Sequence, residues 1–88
     1  MNWTVRLSKD AAKEFSNIPR TQQELILARL AEMEGDPFRG DVKPLKGSQW
    51  RGRFRRRVGR WRIIFTPFHN DRLVEVAAIL LRSEKTYR

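Results

Sequence analysis

Trp50-Arg51-Gly52-Arg53-Phe54-Arg55-Arg56-Arg57-Val58-Gly59-Arg60-Trp61-Arg62-Ile63-Ile64-Phe65 is the stretch that decides the fold. Side chains on a strand alternate between faces, and apolar and basic residues alternate here. The pattern predicts a strand over Trp50–Val58, a turn at Val58-Gly59-Arg60 and a second strand over Trp61–Thr66. On the first strand Trp50, Phe54 and Val58 share one face, and Arg51, Arg53, Arg55 and Arg57 share the other. On the second, Trp61, Ile63 and Phe65 belong to the core, which turns Arg62, Ile64 and Thr66 outward and brings Arg62 to the arginine face. Arg56 falls on the apolar face, and is expected to escape at a sheet edge or to mark a β-bulge.

Working outward, Pro67-Phe68-His69-Asn70-Asp71 predicts a second hairpin loop, followed by a strand over Arg72–Leu81. Its near-continuous apolar run implies a central strand buried on both faces. Upstream, Asp36 to Gln49 carries Pro37, Gly40, Pro44 and Gly47 and is expected to be a loop. Before it, Leu25, Ile26, Leu27, Leu30 and Met33 form a broad helical stripe that Gly35 ends. Its start lies at Pro19, or at a Thr21–Glu24 capping box. An earlier helix follows Ser8 as N-cap, with Ala11, Ala12, Phe15 and Ile18 at helical spacing. Trp3, Val5 and Leu7 alternate as a first short strand, and Arg82–Arg88 is a polar tail. The expectation is a single α+β domain over residues 1–88, of order β-α-α-β-β-β. Its N-terminal helical hairpin packs on a mostly antiparallel four-stranded sheet.

Charge is strongly uneven. Residues 1–50 hold eight Lys/Arg against seven Asp/Glu, and residues 51–88 hold eleven against three, so eight of the nine excess positive charges follow Trp50. Such asymmetry points to a polyanionic partner, because a merely solvated surface intersperses both signs. Cysteine is absent, which excludes disulfides and thiolate metal sites and fits a reducing compartment. No apolar run approaches the ~20 residues of a membrane span, and the start lacks the basic-then-apolar layout of a signal peptide. A cytoplasmic protein with no membrane partner is expected.

Four like charges at alternate strand positions repel one another, so the arginine face is expected to meet an anion. Arginine suits forked phosphate contacts and stacking on bases. Protection of an edge strand needs one or two charges rather than four on one face. One histidine without cysteine makes neither a nucleophilic triad nor a zinc site, and Gly47, Gly52 and Gly59 form no phosphate-cradling loop. No metal and no cofactor are expected.

Leu45-Lys46-Gly47 followed by the Trp50–Phe65 stretch resembles the core motif of the RelE/ParE superfamily of toxins, in which an L-K-G precedes alternating basic residues and a G-x-x-R-hydrophobic turn. The helical hairpin before it and the ending Ile79-Leu80-Leu81-Arg82-Ser83-Glu84-Lys85-Thr86-Tyr87 are similar too, so the resemblance spans nearly the whole chain. It implies a toxin of a type II toxin–antitoxin system with a small acidic antitoxin as partner. That partner would cover the basic face or a hydrophobic groove beside the helical hairpin. RelE-like members enter the ribosomal A site and cut messenger RNA by attack of a ribose 2′-hydroxyl on the adjacent phosphate. The family's functional positions fall here on Arg53, Arg55, Arg62, Arg82 and Tyr87. Arg51, Arg57, Arg60, Lys46 and Lys85 are the further residues expected to bind RNA.

The resemblance departs at one chemically important point. RelE has lysines where this chain has Arg53 and Arg55, and an arginine stays protonated where a lysine need not. Arg53, Arg55 and Arg62 therefore suit phosphorane charge, and Tyr87 suits proton donation or stacking on a base. For the proton acceptor the candidates are Glu84, Lys85, His69, a ribosomal group, or no strong base at all. Two other functions share these features: a ParE-like poison of DNA gyrase, and a non-enzymatic RNA- or ribosome-binding module.

Overall fold

The computed structural model describes residues 2–81. In chain order the elements are β1 (Thr4–Leu7), α1 (Lys9–Ser16), α2 (Arg20–Gly35), β2 (Val42–Pro44), β3 (Phe54–Val58), β4 (Trp61–Phe68) and β5 (Leu73–Leu81). The strands form one sheet in the order β1-β5-β4-β3-β2. β1 runs parallel to β5, and every other pair is antiparallel. The α+β class and the helical hairpin are as expected, with five strands in place of four. The added strand is β2, whose Pro44 is tolerated because β2 lies at the sheet edge. No helix among the described residues is long and apolar enough to cross a membrane.

Ser8 caps α1 as its sequence position predicts. Its Oγ accepts from the Ala11 N–H at 3.0 Å and its hydroxyl donates to the Ala77 carbonyl at 3.0 Å, so one side chain starts the helix and fastens it to β5. β1 ends at Leu7, opposite Val76, while β5 runs on to Leu81. Beyond that point the Ile79 N–H donates to Glu14 Oε1 of α1 at 2.8 Å. A buried backbone donor that has lost its neighbouring strand is thus satisfied by a side chain.

α2 begins after Pro19, whose extended backbone makes it the N-cap and whose carbonyl accepts from Gln22 and Gln23 N–H at 2.9 Å. That start places Thr21 inside the first turn, so no Thr21–Glu24 capping box forms. Ile26, Leu30 and Met33 face the sheet, whereas Leu25 and Leu27 are exposed. The apolar stripe is therefore narrower than the composition of the helix suggests. Trp61 Nε1 donates to Gln22 Oε1 at 2.6 Å and ties the start of α2 to β4. Between the layers Ile18, Ile26, Leu30 and Met33 meet Val58, Ile63, Phe65, Val74, Val76 and Ile79.

Arg56 corrects the expectation made for it. It lies neither at an edge, since β2 pairs beyond it (Val42 opposite Arg56), nor at a bulge; the irregularity in the sheet falls at Ile64/Phe65 in the β4–β5 ladder. Strand parity sends it under α2 with 5% exposure. There its Nη2 donates to Glu32 Oε1 at 2.7 Å and its Nη1 lies 3.5 Å from the Arg29 carbonyl. Glu32 Oε2 also accepts from Arg29 at 2.8 Å. Gly40 closes over the guanidinium: its φ of +89° is one that side-chain-bearing residues rarely adopt, and a Cβ there would come within 3.0 Å of Arg56 Nη2.

The hydrogen bond from Arg56 holds the Glu32 carboxyl below its ordinary value. A carboxyl lowered in the folded state stabilises the fold above its unfolded value, and that contribution fades as pH falls through the folded one. Thermal melts are expected to show wild type losing stability below about pH 4.3, the ordinary glutamate value. Glu32→Gln should start from a lower melting temperature and lose less on acidification, and parallel curves for the two proteins would contradict the assignment.

Candidate nucleic-acid interface

Both helices pack on the face that carries Phe54, Arg56 and Val58 of β3 and Ile63 and Phe65 of β4. The opposite face of β3 therefore carries Arg55 and Arg57, and the register sets Arg62 of β4 directly opposite Arg57. Neither α1 nor α2 packs on that side, although Ile64, opposite Arg55 there, is buried.

The arginine set is smaller than strict alternation from Trp50 predicts. β3 begins only at Phe54, because the chain turns just before it. Arg51 (φ −56°, ψ 131°) and Gly52 (φ +79°), with the Arg53 N–H donating to the Trp50 carbonyl at 2.9 Å, describe a type II turn. Trp50 ends a single 3₁₀ turn, Ser48–Trp50, and is half-buried instead of lying on the strand's core face. Arg51 is exposed in the turn. Arg53 places its guanidinium 6.0 Å from the Trp50 ring centre, an arrangement in which a cation meets an aromatic face. Arg60 is exposed in the β3–β4 turn beside Gly59, and Lys46 is exposed in the loop that follows β2. Arg82, Glu84, Lys85 and Tyr87 lie outside the described residues.

Two further residues belong to this face. Lys43 of β2 is the cross-strand partner of Arg55 and shares its side of the sheet. Asp41, just before β2, accepts the Arg57 N–H on its main-chain carbonyl at 3.0 Å. Its side chain then reaches both arginines, with Oδ1 3.3 Å from Arg55 Nη1 and Oδ2 3.7 Å from Arg57 Nε. Arg55 lies lowest of the three, its side chain 11% exposed, against 36% for Arg57 and 43% for Asp41. The carboxylate thus offsets repulsion among cations that face one another across the ladder. A loop over residues 36–49 gave neither residue a face; the Val42 flanked by Asp41 and Lys43 was the available signal.

His69 does not join the site. It follows the last residue of β4, whereas Arg62 is the second, a separation of roughly 23 Å along a strand. Its ring stacks on Phe38 (5.7 Å, 9°) and meets Trp3 edge-on (5.6 Å, 78°). Phe38 in turn touches Phe54 and Phe65 on the helix side. His69 is an aromatic packing residue, which removes it as a proton acceptor beside Arg62.

Residues 2–86 match the family described as the ParE toxin of type II toxin-antitoxin system, parDE. No curated protein sequence matches the chain. Among solved structures it is similar to the RelBE2 toxin–antitoxin complex of Mycobacterium tuberculosis, at TM-score 0.84 and 20% identity over 93% of this chain and 100% of that one. It is also similar to the archaeal RelE–RelB complex of Pyrococcus horikoshii OT3, at 0.81 and 22% over 96% and 99%. For the isolated RelE toxin of E. coli the values are 0.76 and 20% over 93% and 88%. The structural likenesses establish a shared fold, the family match covers almost the whole sequence, and the chain belongs to the ParE toxin family of type II toxin–antitoxin systems.

Proposed function

We propose that this toxin acts in the cytoplasm by entering the ribosomal A site and cleaving messenger RNA through attack of a ribose 2′-hydroxyl on the adjacent phosphate. The observation that carries this is the meeting of Arg55 and Arg57 on β3 with Arg62 on β4, on the face of the sheet away from the helices. Arginine is the side chain suited to forked contact with phosphate and to the charge that develops on a phosphorane. Arg53 against Trp50 adds a stacking surface at the end of the same strand. In this reading Arg55, Arg57 and Arg62 bind the scissile phosphate and its neighbour. Arg51, Arg60 and Lys46 hold the flanking backbone, and Arg82, Lys85 and Tyr87 complete the site.

Affinity for single-stranded RNA tests the electrostatic part of the reading. Three neutralised phosphates correspond to a fall of roughly 2 log units in affinity per log unit of salt. A flat dependence would contradict the assignment. The family's ParE description favours a second reading, inhibition of DNA gyrase, which needs no ribonuclease chemistry. Loss of gyrase supercoiling with intact message would select it.

An antitoxin is the expected protein partner. The M. tuberculosis and P. horikoshii structures each hold a toxin with its antitoxin. Here a groove of about 350 Å³, lined by Val5, Leu7, Leu27, Leu30, Ala31 and Glu34, runs between β1 and α2. It suits an apolar segment of that partner.

A further inference from the structure

We infer that the Asp41 carboxylate is the proton acceptor for the attacking 2′-hydroxyl, an inference that rests on the ribonuclease reading above. Its position is fixed by the fold. The bond from the Arg57 N–H to the Asp41 carbonyl (3.0 Å) pins the residue to β3, and its two carboxylate oxygens address Arg55 and Arg57 separately. These are two of the three arginines that would hold the scissile phosphate. In RNA the 2′-hydroxyl is on the sugar bonded to that phosphate, so a base for it must stand beside the phosphate-binding cations. Asp41 stands there, and it is the most exposed member of the trio.

The other groups on this side of the sheet fit the role less well. Arg55, Arg57 and Arg62 carry guanidiniums, which offer donors and no acceptor. Lys43, opposite Arg55, sits among cations. Glu75, the other described acid on this side, pairs with Arg6 of β1 and with Thr66 of β4. Thr66 is four residues along β4 from Arg62, roughly 13 Å away.

In the free protein the carboxylate occupies the arginines as an internal anion. An RNA phosphate competes for the same two guanidiniums, so substrate binding frees the carboxylate from them. In the step itself the O2′–H bond breaks and its proton passes to a carboxylate oxygen of Asp41. The O2′–P bond forms, and the P–O5′ bond breaks with its electron pair leaving on O5′, which takes a proton from water. The products are a 2′,3′-cyclic phosphate and a 5′-hydroxyl, and Asp41 returns its proton to solvent.

The test is single-turnover cleavage of message on purified ribosomes across a range of pH. Full-length wild type, Asp41→Asn and Asp41→Glu are compared, with RNA affinity and melting temperature measured on each. Asp41→Asn keeps a side-chain oxygen for the arginines but removes the base. It is expected to cut about 10²–10⁴-fold more slowly, to lose the rise of rate with pH expected of a carboxylate base, and to bind RNA as tightly or more tightly. Asp41→Glu should recover part of the rate together with the pH dependence. If wild type cuts and Asp41→Asn cuts equally fast with the same pH profile, the inference is overturned and the ribonuclease reading stands. A slow Asp41→Asn whose rate still rises with pH and whose RNA binding has fallen in proportion also overturns it, leaving a structural role. If wild type leaves the message intact, the ribonuclease reading itself fails and the inference with it.

Discussion

Arg62→Ala is expected to abolish toxicity while leaving a folded domain. Arg62 sits directly opposite Arg57, and like charges facing each other across a ladder weaken the pair. Truncating one of them relieves repulsion in the sheet. Its neighbours Ile63 and Ile64, which are buried, keep their contacts with the core and with β5. For the chemistry the loss is severe. One preorganised donor aimed at developing charge is worth about 10²–10³ in rate, enough to let translation continue in an induced culture. Growth after induction, cleavage on ribosomes and a circular-dichroism melt measure the three quantities. A folded Arg62→Ala protein that still arrests growth would sink the assignment of this face.

Phe65→Ala carries the largest expected effect on stability. The ring is fully buried, stacks on Phe54 at 5.9 Å and lies 6.5 Å from Phe38. It stands at the register shift of the β4–β5 ladder, opposite Val76. Replacing such a ring by a methyl group costs about 3–5 kcal/mol, the spread reflecting how far the cavity collapses. A domain of this length has roughly 4–13 kcal/mol in total, so the variant is left marginal. In urea its midpoint should fall by about 2 M with the slope unchanged. A shift of a few tenths of a molar unit would show that the interface between α2 and the sheet is not the principal core.

The two variants separate what the sequence discloses readily from what it does not. The alternation through Phe54–Phe65 is legible because β3 and β4 are antiparallel neighbours with one face against α2. Val58, Ile63 and Phe65 are therefore apolar, and Arg55, Arg57 and Arg62 have only the other side to occupy. Ser8 as a helix cap was legible for the same local reason. Four features were not, the last three because they depend on partners distant in sequence. Gly52 permits a positive φ, and the type II turn built on it takes Arg51 and Arg53 off the strand. Period-2 counting runs through that turn without registering it. β2 has three residues and ends on a proline, so only its pairing with β3 reveals it, and with it the placement of Asp41 and Lys43. Arg56 is tolerated under α2 because Glu32, 24 residues away, accepts its charge. His69 lies in the exposed turn between β4 and β5, but the rings that pack against it, Phe38 and Trp3, come from two other segments and were not readable from its neighbours.

The face bearing Arg55, Arg57 and Arg62 is the part of the molecule proposed to act on messenger RNA. The most direct measurement adds the full-length protein to a purified translation system and maps the 3′ ends of the message. New ends inside the A-site codon, present with wild type and absent with Arg62→Ala, are the predicted result. An intact message in the presence of active toxin would contradict it.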